Sequence, residues 1–88
     1  MKLENRIAIV TGGAKGMGSA ITRTLGREGA DIMLAARDIG PLEEVAEEVR
    51  AMGRRVEAVS VDVTSSEQVS AMVKRTKRAF GGRIDILV

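Results

Sequence analysis

Arg6-Ile7-Ala8-Ile9-Val10-Thr11-Gly12-Gly13-Ala14-Lys15-Gly16-Met17-Gly18 runs from a short apolar segment straight into a loop built on glycine. The apolar part is rich in β-branched residues and reads as a strand buried on both faces, as in a parallel sheet. Beyond the loop, Met17, Ala20, Ile21, Thr24 and Leu25 recur at helical spacing, and Gly29 stands where a helix C′ residue is expected. A strand ending in glycines can turn tightly, admit a diphosphate to its backbone and feed a helix whose free amides face the anion. In that arrangement Gly12 makes the turn, Gly16 permits close approach and Gly18 lets the helix pack against the strand. A glycine-rich turn without a ligand is the competing reading.

The same alternation continues along the chain. Asp31 to Ala36 predicts a second strand, and Gly40-Pro41 opens a helix with Leu42, Val45, Ala46, Val49 and Met52 on one face, closed by Gly53. Val56 to Val63 predicts a third strand. Ser65 and Gln68 have the spacing of a capping box, followed by a helix carrying Val69, Met72, Val73, Thr76 and Phe80 inward. After Gly81-Gly82, Ile84 to Val88 starts a fourth strand. The order β-α-β-α-β-α-β with short connections predicts an α/β fold, a Rossmann-type doubly wound parallel sheet with strands in the order 3-2-1-4. Residues 1–88 then form the N-terminal portion of a single domain. An apolar fourth strand left as an open edge invites aggregation, so the expectation is that the natural protein continues beyond Val88 or that a partner covers this edge.

Composition narrows the chemistry. The 88 residues carry a net charge of +2 and include no Cys and no His, which excludes disulfides, the usual zinc and iron ligand sets, and serine–histidine or cysteine–histidine catalysis. Phe80 is the only aromatic residue, leaving little for stacking on nucleic-acid bases. No apolar run has the length of a membrane span, and Met1-Lys2-Leu3-Glu4-Asn5-Arg6 lacks the apolar stretch of a secretion signal. The expectation is a cytoplasmic protein that binds neither membrane nor nucleic acid.

Two familiar phosphate loops do not fit. Gly13 and Gly18 have P-loop spacing, but Ser19 stands where the lysine belongs; from Gly12, the Gly-x-Gly-x-x-Gly fingerprint fails at Ala14. What fits is Thr-Gly-x-x-x-Gly-x-Gly, set by Thr11, Gly12, Gly16 and Gly18. With Asp62-Val63 after the third strand and Gly82-Arg83-Ile84-Asp85-Ile86-Leu87-Val88 leading into the fourth, the chain resembles the short-chain dehydrogenase/reductase family over essentially its whole length. Within that family it looks most like 3-oxoacyl-[acyl-carrier-protein] reductases and their sugar and steroid relatives.

The resemblance implies a nicotinamide cofactor. Its binding residues would be Gly12, Ala14, Lys15, Gly16, Met17, Gly18, Arg37, Asp62 and Val63. NAD-selective folds carry an acid at the end of the second strand for the ribose 2′-hydroxyl. By resemblance, Ala36 occupies that place and Arg37 follows; a guanidinium suits a phosphate, and Lys15 adds a second cation. NADP(H) is therefore expected ahead of NAD(H), although Ala14 stands where NADP-dependent relatives often carry a serine. Arg37 as a solvated residue paired with Asp38 is the alternative. Asp62 either caps the turn after the third strand or accepts the adenine amino group, with the Val63 backbone serving a ring nitrogen; the resemblance favours adenine. Asp85, between apolar residues, is expected to be structural.

Lys74, Arg75, Lys77 and Arg78 cluster on the third helix, and read as a solvated face that complements the helix dipole rather than as a nucleic-acid or acidic-partner surface. The family's Ser–Tyr–Lys catalytic set is not here, since the sequence has no Tyr. The resemblance thus implies an NADP(H)-dependent oxidoreductase acting on a small-molecule carbonyl or alcohol. These residues supply the adenosine-phosphate half of the cofactor site, and the complete protein is expected to be a homo-oligomer. The other reading is a non-catalytic nucleotide-binding module that ends at residue 88.

Overall fold

The computed structural model describes residues 3–12, 16–38 and 40–88, with residues 16 and 17 described by their backbone. The elements follow in the order β1 (Ile7–Thr11), α1 (Gly16–Arg27), β2 (Asp31–Ala36), α2 (Gly40–Arg50), β3 (Val56–Ser60), α3 (Ser66–Phe80) and β4 (Ile86–Leu87). All strands are parallel, in the order β3-β2-β1-β4. The predicted Rossmann topology is the observed one.

Alternation along the strands splits the core into two layers. Val10, Ile32 and Leu34 point to one face and pack with Leu42, Val45, Ala46 and Val49 of α2. Ile7, Ile9, Met33 and Ala35 point to the other and meet Met72 and Phe80 of α3. Because both faces are covered, β1 and β2 need apolar residues at consecutive positions, which is why they read as unbroken apolar runs.

Helix α1 departs from the sequence reading. Ala20 and Thr24 face solvent, whereas Ser19, Thr22 and Gly26 are buried. The inward face is built from small residues because the helix lies close to its neighbours: a Cβ on Gly26 would fall 2.7 Å from Val49 Cγ1. Thr22 survives burial by donating its hydroxyl to the Gly18 carbonyl at 2.8 Å. The end of α1 is as expected. Gly29 has φ of 103°, and the Ala30 amide donates back to Leu25 O at 3.0 Å, a Schellman closure.

Strand β3 stops at Ser60 rather than Val63. Its partner β2 ends at Ala36, opposite Ser60, and only the Val61 amide still reaches Ala36 O, at 2.9 Å. The capping box is half formed. Ser65 Oγ accepts the Gln68 amide at 3.3 Å, but the Gln68 side chain accepts the Asp62 amide at 2.8 Å instead of that of Ser65. The Ser65 amide is already bonded to the Asp62 carbonyl, so the glutamine is released to brace the preceding turn.

Strand β4 is shorter than expected, yet its backbone bonds with β1 extend from Asp85 to Val88. Asp85 fastens this seam. Its Oδ2 accepts the Ile7 amide at 2.9 Å, Arg83 donates to both carboxylate oxygens, and Arg6 lies 3.5 Å away. Arg83 first and the Ile7 amide second hold the Asp85 carboxyl below the usual range. A depressed folded pKa gives stability that is complete above the unfolded value of about 4 and is lost as pH falls through the folded value. Asp85→Asn should therefore flatten the acid limb of a stability-against-pH curve measured by denaturant unfolding. Superimposable acid limbs for the two proteins would refute that role.

Candidate cofactor site

The strand order reverses at β1, with β2 on one side and β4 on the other. In open α/β sheets, ligands occupy the crevice outside the carboxyl ends of the strands at such a switch point. Here that crevice is a cleft of about 370 Å³ lined by Thr11, Gly12, Ala35, Ala36, Arg37, Val61 and Val63. A second hollow of about 340 Å³, lined by Thr11, Val63, Val69, Met72, Leu87 and Val88, adjoins it through their shared Thr11 and Val63.

Gly12 follows β1 with φ of 66°, its amide bonded to Ala35 O at 2.7 Å. A left-handed residue there turns the chain out of the sheet, and a Cβ built on it meets nothing within 4 Å. Glycine at this position therefore serves the backbone, as the tight turn requires. Gly16 and Met17 open α1, and Gly18 lies in its first turn. Ala14, Lys15 and the Met17 side chain lie outside the described residues, so Arg37 is the cation that can be placed.

Arg37 follows β2 at the rim of the cleft, its side chain 75% exposed. Its partner is not the neighbouring Asp38. The Asp38 carboxylate accepts the Gly40 amide at 3.0 Å, and Arg37 Nη2 reaches across to Asp62 Oδ1 at 3.2 Å. The chain at Arg37 is also tied to β3, because Ser60 Oγ donates to its carbonyl at 2.9 Å.

Asp62 takes the turn-capping role that its sequence position offered and adds an ion pair with Arg37. Its Oδ1 caps the turn by accepting the Thr64 amide at 2.9 Å and the Thr64 hydroxyl at 2.7 Å, while also receiving Arg37. All three bonds fall on Oδ1. The Thr64 hydroxyl and amide, then Arg37, hold the carboxyl below the usual range. The sequence offered Asp62 as a turn cap but did not single out Thr64, whose amide lies two residues on, where an Asx turn takes its donor. Val63 is 58% exposed beside this turn and contributes to both hollows.

The basic residues of α3 are exposed, and Arg75 is paired with Glu57 of β3 at 2.9 Å. Among the described residues no group of acidic side chains is placed to hold a metal ion, and no helix is long and apolar enough to cross a membrane.

Comparison with known proteins agrees with this geometry. An uncharacterized oxidoreductase of Mycobacterium tuberculosis is 37% identical over 87 residues, covering 99% of this chain and 33% of the relative. A metagenomic short-chain oxidoreductase, solved in complex with NADP, superimposes with a TM-score of 0.91 at 37% identity, over 99% of this chain and 39% of its own. A short chain dehydrogenase/reductase from Burkholderia phymatum, solved in complex with NAD, gives 0.90 at 30% identity, over 99% of this chain and 31% of its own. The chain thus spans about a third of the length of these proteins. Residues 6–88 match the family model described as short chain dehydrogenase. With the β3-β2-β1-β4 sheet and the glycine turn at its switch point, this match makes the chain a member of the short chain dehydrogenase family.

Proposed function

We propose that the crevice at the ends of β1, β2 and β3 is the adenosine-phosphate half of an NADP(H) site in a carbonyl- or alcohol-converting oxidoreductase. The observation that carries this reading is the exposed Arg37 guanidinium at the cleft rim, with Ala36 rather than an acid ending β2. A carboxylate at that strand end favours a ribose hydroxyl and repels a phosphate; a guanidinium does the reverse. Gly12, Gly16 and Gly18 would face the diphosphate at the start of α1, with Ala14, Lys15 and Met17 completing the loop. Asp62 and the Val63 backbone would hold the adenine. Asp62 fits that task because Oδ2 carries none of the three bonds that fix the carboxylate.

When bound, the nicotinamide would exchange a hydride with a small-molecule carbonyl or alcohol. In this reading the tyrosine that the family resemblance implies as acid/base is not among these 88 residues, which contain none. In the same reading the intact protein is a cytoplasmic homo-oligomer.

Dissociation constants for NADPH and NADH, measured on the intact protein, test the assignment. Arg37→Gln removes the cation without setting a second carboxylate against Asp62. It should weaken NADPH by about tenfold or more, the worth of one charge-assisted contact, and leave NADH nearly unchanged. Equal affinity of the unmodified protein for the two cofactors, or equal losses in the variant, would overturn it.

A further inference from the structure

We propose that Asp62 sets the strength of cofactor discrimination by competing with the ligand's 2′-phosphate for Arg37, which makes it a specificity-determining residue that acts through the arginine. The inference rests on the NADP(H) reading above and adds a partner exchange to it. Arg37 and Asp62 come from the ends of different strands and meet across the cleft rim, at 3.2 Å. The pair is exposed, with side chains 75% and 36% accessible, so its bond is weak enough to be exchanged.

The two partners are held unequally. Asp62 Oδ1 has two further donors, the amide and hydroxyl of Thr64, at 2.9 and 2.7 Å, and its own amide is bonded to Gln68 Oε1. Arg37 is bound to Asp62 through Nη2 alone. When a phosphate arrives, the carboxylate keeps two of its three bonds and stays, and the guanidinium is the group that turns. Moving from a carboxylate to a phosphate dianion increases the charge it faces, so the exchange runs toward the ligand. Asp62 opposes it twice, by holding Arg37 back and by leaving a negative charge beside the incoming phosphate. A cofactor without the 2′-phosphate offers Arg37 nothing to exchange for. The ion pair therefore persists under NADH.

Asp62→Asn is the discriminating variant, because asparagine keeps the one oxygen that Thr64 uses while losing the charge; the acceptor lost on the adenine side is common to both cofactors and cancels in their ratio. The ratio of NADH to NADPH dissociation constants, measured on the intact protein, should rise by about two- to fivefold, the range of an exposed ion pair. The rise should shrink as salt is added. It should be smaller when Arg37 is already glutamine, because only the direct repulsion then remains. A ratio that stays level or falls in Asp62→Asn overturns the proposal, as does a rise of undiminished size in the Arg37→Gln background. Should the asparagine variant be unstable, Asp62→Ser retains an acceptor in the same turn and is read in the same way. If Arg37→Gln alone leaves the ratio unchanged, the NADP(H) reading itself fails; if it lowers the ratio and Asp62→Asn does nothing, only the competition fails.

Discussion

Leu34→Ala should be among the most destabilising single substitutions in this chain, at about 2–5 kcal/mol. Leu34 lies in β2, which is flanked by β1 and β3, and it is 0% exposed. Its side chain belongs to the layer formed with Leu42, Val45, Ala46 and Val49, so truncation leaves a void between the sheet and α2. Strands paired on both edges have little freedom to collapse into such a void, which places the cost toward the upper part of the range. Urea unfolding should show a lower midpoint at unchanged slope. Leu34→Met, which keeps the volume, should cost less than about 1.5 kcal/mol. A loss below 1 kcal/mol for the alanine variant would mean that the layer is not packed as described.

Gly26→Leu should cost about 3 kcal/mol, for the opposite reason. Elsewhere in a helix, replacing glycine by a better helix former gains close to 1 kcal/mol. At Gly26 even the first added carbon falls 2.7 Å from Val49 Cγ1, with Met52 Sδ at 3.4 Å. Valine on a helix is held in one rotamer and cannot swing aside, so the helices themselves must separate. A compensating Val49→Ala change should recover part of the loss, and the double variant should be more stable than the sum of the singles by about 0.5–3 kcal/mol. Strict additivity would show that α1 and α2 do not meet there.

These two positions also mark what the sequence could reveal. Leu34 was legible because period and composition report burial directly: apolar residues at consecutive positions from Ile32 to Ala36 mean two covered faces. The same logic yielded the element order, and the right-handed crossover rule for a dinucleotide-binding half turned it into the 3-2-1-4 sheet. Gly26 was not legible, because close approach between helices selects small residues and leaves no apolar stripe. Apolar periodicity accordingly turned α1 toward Ala20 and Thr24, whereas the buried face is Ser19, Thr22 and Gly26.

At the candidate site, the sequence pointed to the glycine turn and to Arg37, but partners depend on strand ends meeting in space. Asp38 is the neighbour in sequence and is occupied by the Gly40 amide, so the arginine pairs with Asp62, 25 residues away. Gln68 was recognised as a capping residue, yet spacing alone could not show that Asp62 had already taken the Ser65 amide. Strand length beyond the last ladder partner was equally hidden, and β3 consequently ends three residues early.

The carboxylates Asp31 and Asp85 sit at the opposite end of the sheet from the cleft. Asp31 begins β2 and binds both the amide and the guanidinium of Arg55; Asp85 precedes β4 and holds Ile7, Arg83 and Arg6. Arg55 in turn lies over the ring of Phe80, 5.4 Å from its centre. The ties made by Asp31 and Asp85 thus lie at the strands' entry ends, while Gly12, Arg37 and Asp62 cluster where the strands exit. Such a separation makes the protein permissive to redesign. On the proposed NADP(H) reading, residues at the exit rim can be exchanged to shift preference between dinucleotides while the ties made by Asp31 and Asp85 stay untouched.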